Sequence, residues 1–94
     1  MKNKFRTLED LYKYLLPALY SKRKEFERRG LIYLREEDIW NYLTESKWQS
    51  DKDLSIAKMV SDIFNVDKYK IEAYLFNIIK NSKRSILKNE EGLL

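Results

Sequence analysis

The chain contains no cysteine and no histidine. The first absence removes disulfides and thiolate nucleophiles, and the second removes the side chain that most often serves as a general base near neutral pH. Together they remove the ligands of structural zinc sites. A metal would have to be held by carboxylates alone. The densest acidic group, Glu36-Glu37-Asp38, occupies consecutive positions that cannot all face one ion from a helix. No metal, cofactor or catalytic residue is expected, and the chain reads as a non-enzyme. Two glycines and one proline leave too few turn residues for an all-β fold. No uninterrupted apolar run approaches the ~20 residues that span a bilayer. Behind the basic start Met1 to Arg6, a signal peptide would need an apolar core, which Glu9, Asp10 and Lys13 interrupt. The expectation is a cytoplasmic protein with no transmembrane segment.

What is present is helical patterning over 94 residues, enough for one domain with a modest core. The expected domain covers residues 1–84 as an all-α, compact bundle of four to five helices, followed by a polar tail at 85–94 that frays. Thr7 and Asp10 form a capping signal ahead of Leu8, Leu11, Tyr12, Leu15, Leu19 and Phe26, so the first helical region runs from 8 to about 29. Pro17 cannot donate a backbone hydrogen bond, which predicts a kink or a division into two helices there. Gly30 ends the region, and Leu31 to Leu34 is a short connector. Acidic residues 36–38 suit the positive end of a second helix reaching about Ser46, with Ile39, Trp40 and Leu43 in the core and Trp48 as a plug. Ser50 or Asp51 is expected to cap a third helix burying Ile56, Met59, Val60, Ile63 and Phe64. Asp67 is expected to cap a fourth helix that runs to about Arg84.

Three constellations invite a functional reading. Lys22 falls in the core stripe between Leu19 and Phe26. Either its stem lies along apolar surface while the ammonium reaches water, or it pairs with Asp38 or Asp62 from another helix. On the opposite face stand Tyr20, Lys24 and Arg28, with Arg23 alongside and Lys13 in line across the proline. An aromatic ring among cations suits single-stranded RNA, the ring stacking on a base while the charges hold phosphates. A solvated face diluted by Glu25 and Glu27 is the plainer alternative. On the fourth helix, Tyr69, Ala73 and Phe76 lie opposite the core stripe and continue into Lys80 and Lys83. Either another helix of the bundle covers them, most simply the segment before Pro17, or they form a protein-interaction or homodimer face. Net charge is +4, which favours anionic partners without requiring them. A helix-turn-helix DNA reader is a minor alternative, because the connector from Trp48 to Asp53 is not a short glycine-containing turn.

One ordered series adds a resemblance. Leu15-Leu-Pro-Ala-Leu-Tyr-Ser-Lys22, Glu25-Phe26, Gly30, Glu37-Asp38-Ile39-Trp40-Asn41-Tyr42-Leu43, Lys47-Trp48 and Val60-Ser61-Asp62-Ile63 resemble the ComN-type bacterial post-transcriptional regulators over roughly residues 8–79. Two positions depart from that pattern: Leu31 follows the glycine where an aromatic is usual, and Arg35 stands at the Ser/Thr cap of the second helix. The resemblance implies regulation after transcription, with mRNA or an mRNA-containing complex as partner. The alternative is a protein-interaction adaptor that binds no RNA directly.

Overall fold

The computed structural model describes residues 7–81, so Lys83 and the 85–94 tail lie outside the described residues. Among them the secondary structure is four α-helices, α1 (Leu8–Arg28), α2 (Glu36–Ser46), α3 (Ile56–Phe64) and α4 (Lys68–Asn81), with a 3₁₀ turn at Trp48–Ser50. The all-α expectation holds. Thr7 starts α1, its side chain accepting a hydrogen bond from the Asp10 backbone N–H at 3.1 Å. The helix then continues through Pro17 without dividing in two. Proline deprives only the Lys13 carbonyl of its intrahelical donor, and both residues are exposed, so water can replace the lost bond.

The end of α1 is set by Gly30, whose φ of 104° lies in the left-handed region. There the Gly30 N–H donates to the Glu27 carbonyl at 3.1 Å and the Leu31 N–H to that of Phe26 at 2.9 Å. This is the paired closure of a Schellman motif, with Phe26 and Leu31 both buried. At α2, Arg35 has no acceptor to offer as a cap. Asp38 replaces it by reaching back to take the Arg35 backbone N–H at 2.9 Å. Helix α3 is capped by Ser55, which accepts from the Lys58 N–H at 3.1 Å, and not by Ser50 or Asp51. Asp51 instead turns the preceding loop by accepting from the Asp53 N–H and pairing with Lys58. Asp67 caps α4 as expected, through the Lys70 N–H at 3.0 Å.

Helix α1 lays Leu11, Leu15, Leu19, Lys22 and Phe26 against α2 and α3, while α4 packs on α2 through Ile71 and Leu75. Leu31, Leu34, Ile39, Leu43, Trp48, Met59, Ile63 and Val66 complete the core. Each large apolar side chain fully buried here is worth about 1.5–3 kcal/mol relative to exposure. Two aromatic expectations change. Trp40 is only half-buried, held edge-on between Tyr12 and Trp48 with ring centroids at 5.3 and 5.6 Å. Trp48 is the tryptophan inside. Phe64 is exposed, because the last turn of α3 turns its ring outward while Ile63 takes the core position.

Lys22 is buried, yet it pairs with neither Asp38 nor Asp62. Its Nζ donates to the Phe64 carbonyl at 2.9 Å and to Glu25 Oε1 at 3.2 Å, and stands 4.9 Å from the Phe26 ring centroid. Phe64 ends α3, where carbonyls lack intrahelical donors and carry partial negative charge. The other last-turn carbonyls are met locally: Ser61 and Asp62 accept from the Asn65 N–H, and Ile63 from that of Val66. The Lys22 ammonium supplies the one that remains.

Lys22→Met keeps the stem but strands that carbonyl, so thermal unfolding should show a loss of roughly 1–3 kcal/mol. An unchanged melting temperature would mean that the ammonium contributes nothing. Gly30→Ala meets no atom within 4 Å, so its cost is backbone strain alone, about 1 kcal/mol in the same measurement.

Candidate functional site

Two parts of the series that carries the resemblance, Lys47-Trp48 and Asp62, are drawn together at one place. Asp62, on α3, accepts the Trp48 indole N–H at 2.9 Å through Oδ2 and pairs with Lys47 Nζ at 3.2 Å through Oδ1. Sequence spacing gave no sign of this pairing, since the partners are fourteen and fifteen residues apart. The indole brings a buried donor that needs an acceptor, and the carboxylate supplies it. This lock closes one wall of an open cleft of about 270 Å³ between the end of α2, the end of α3 and the start of α4. Leu43 and Val66 floor the cleft, and Tyr42, Ser46, Lys47, Asn65 and Lys70 stand around it. Ser46 and Asn65 are turned onto backbone carbonyls at 2.6 and 2.9 Å. Beside it, Tyr74 donates to Glu45 at 3.2 Å and meets the Tyr42 ring edge-on. Burial first, then the Glu45 charge, pushes the Tyr74 phenol up to about 12.

The candidate RNA face of α1 is present but laced with acid. Tyr20 is half exposed, with the Arg23 guanidinium 5.2 Å from its ring centroid. Arg23 lies 2.9 Å from Glu36 Oε2, a Coulombic approach whose N–H is not aligned as a hydrogen bond, and 3.7 Å from Glu27. Lys24 pairs with Glu27 at 3.0 Å and holds that carboxyl below the usual carboxylate range. Lys13 pairs with Glu9 at 3.6 Å. Arg28 is exposed and makes no ion pair among the described residues. Residues 7–81 contain thirteen of the nineteen basic and thirteen of the fifteen acidic residues, a formal charge of zero. The whole +4 therefore resides in residues 1–6 and 82–94.

The far face of α4 is bare. Tyr69 and Phe76 are 74% and 65% exposed, and Ala73 and Lys80 are exposed between and beyond them. The segment before Pro17 does not cover them, because its apolar stripe is committed to α2 and α3. No group of acidic residues that could hold a metal ion occurs among the described residues, and no described helix is long and apolar enough to cross a membrane.

The sequence profile of the family described as "Post-transcriptional regulator" matches residues 8–87. The chain is also similar to the post-transcriptional regulator ComN of Bacillus subtilis (strain 168). The two are 45% identical over 58 residues, which cover 61% of this chain and 59% of that protein, less than two thirds of its length. No solved structure matches.

Asp62→Ala should cost roughly 1–3 kcal/mol in chemical unfolding by leaving the indole donor buried without an acceptor. Asp62→Asn keeps an acceptor and should recover most of that loss; equal losses would remove the Trp48 contact as the cause. Tyr74 ionises near 10 when unfolded and at about 12 when folded. Its neutral form thus stabilises the fold fully below pH 10, and that stability is lost as pH rises through 12. Phenolate absorption should show Tyr74 titrating late, and Glu45→Gln should bring it part of the way down while leaving Tyr12, which burial and then the Glu36 charge also raise, unchanged.

Proposed function

Since the chain belongs to the post-transcriptional regulator family, we propose that it is a non-enzymatic regulator that reaches mRNA within a protein complex, docking through the outer face of α4. The observation that carries this reading is the contrast between its two exposed faces. On α1, cations sit beside the chain's own carboxylates, and the described residues sum to no charge, so the long-range attraction that drives phosphate binding is weak there. On α4, two large aromatic side chains stand largely exposed and are covered by none of the described helices, as at surfaces that become buried in a complex.

Direct contact with single-stranded RNA is the second reading, favoured by the half-exposed Tyr20 ring with Arg23 against it and Arg28 on the same face. The exposed Lys24–Glu27 pair is worth little, so a phosphate can displace that carboxylate from Lys24.

The two readings separate in one recovery experiment on tagged full-length protein and its associated mRNA. Docking through α4 predicts that Tyr69→Asp with Phe76→Asp loses the mRNA while Lys24→Glu with Arg28→Glu retains it. Direct contact predicts the reverse, along with steep salt dependence of the purified protein on a broad RNA pool. All four side chains lie outside the core, so melting temperatures should stay nearly unchanged in both variants.

A further inference from the structure

We propose that the outer stripe of α4 pairs, antiparallel and about a two-fold axis, with the same stripe of a second copy of this chain. The inference rests on reading that face as a docking surface and names its occupant. Tyr69, Ala73, Phe76 and Lys80 recur at helical spacings of four, three and four, which align them on the side away from Ile71 and Leu75.

The order within the stripe is self-complementary. The midpoint between positions 69 and 80 is also the midpoint between 73 and 76, so one two-fold axis at that level sets both pairs opposite each other. Tyr69 then faces Lys80 of the second copy, and Ala73 faces its Phe76. Each match is chemically apt. The alanine leaves a recess above the helix backbone, and the phenylalanine ring, 65% exposed in the single chain, fills it. The lysine brings an ammonium to an aromatic ring. Lys68 already lies 5.2 Å from the Tyr69 ring centroid while pairing with Glu72 at 3.4 Å, and at 74% exposure the ring keeps ample surface for a second cation.

Two further observations favour a second copy. An isologous contact must satisfy each residue with another from the same patch, a demand that a surface shaped for a different protein does not face. The formal neutrality of residues 7–81 also leaves no net repulsion between two folded domains. Four residues on one helix bury an area at the low end for a specific interface, so the pair should dissociate readily, with Kd on the order of 10–100 μM.

Sedimentation of the full-length chain across that concentration range should show the apparent mass rising toward twice the monomer. Phe76→Asp should remain monomeric at every concentration while keeping the wild-type melting temperature. Register is tested with engineered thiols, since the chain has none of its own. In the two-fold arrangement the two copies of position 69 lie about 16 Å apart along the helices. Tyr69→Cys alone and Lys80→Cys alone should therefore not oxidise to dimers, whereas an oxidised mixture of the two should cross-link one to the other. Cross-linking of either variant with itself, or a monomeric wild type at the highest concentration, overturns the proposal. A monomeric wild type whose Tyr69→Asp, Phe76→Asp variant still loses its mRNA would assign the stripe to a different protein and leave the docking reading standing. Retention of mRNA by that variant would remove the docking reading as well.

Discussion

The fold turns on one buried ammonium. Lys22 comes from the middle of the longest helix and meets the terminal carbonyl of another helix forty-two residues later. It supplies the donor that the last turn of α3 cannot find locally, and its positive charge sits where the helix is partially negative. The consequence reaches beyond α3. Asn65 and Val66 make the turn into α4, and both donate back into the last turn of α3 that Lys22 finishes. An apolar residue at that position could fill the space, but it could not place the C-terminus of α3 against α1. The directed bond adds a registration that side-chain packing alone would leave loose.

A second polar contact works the same way at the other side of the core. Asp62 holds the Trp48 indole, so the 3₁₀ turn after α2 is tied to α3, and Lys47 closes over the same carboxylate. The residues that make the chain resemble its family, Lys22, Gly30, Asp38, Trp48 and Asp62 among them, are largely accounted for by these devices. Each satisfies a buried donor or acceptor, or supplies a backbone conformation that few residues tolerate. The shared pattern thus describes how the domain is closed. What the domain touches is written on the surfaces that these devices leave free.

Those surfaces differ in kind. The outer face of α1 has charges of both signs, arranged so that Glu27 serves Lys24 and Arg23 while Glu36 serves Arg23. Such a face is well solvated and has little field to project. The outer face of α4 has aromatic area and few charges, and none of the described helices covers it. The uncovered aromatic area of this face sits on a rigid helix whose other side is anchored in the core by Ile71 and Leu75. The excess positive charge is kept to the segments that flank the described domain.

The sequence by itself determined the all-α class, most of the core and three of the helix boundaries, because those depend on local chemistry; whether Pro17 divides the first helix, and so whether the helices number four or five, was left to the structure. Apolar spacing marked Leu11, Leu15, Leu19, Phe26, Ile39, Leu43 and Ile63, and Thr7, Gly30 and Asp67 carried their capping roles in their own side chains or lack of one. The α3 cap was missed because Ser50, Asp51 and Ser55 are equally able acceptors, and only the path of the loop selects among them. Tertiary structure alone decided the rest. Lys22 had Asp38 and Asp62 on other helices to choose from in sequence, yet beside Glu25 on its own helix its cross-helix partner is a backbone carbonyl, a group that every residue has and that no composition can single out. Trp40 and Trp48 share a chemistry but not a depth, since burial depends on which neighbour arrives above each ring. The openness of the α4 stripe could not be read from its pattern either, because an aromatic face looks the same whether another helix covers it or water does.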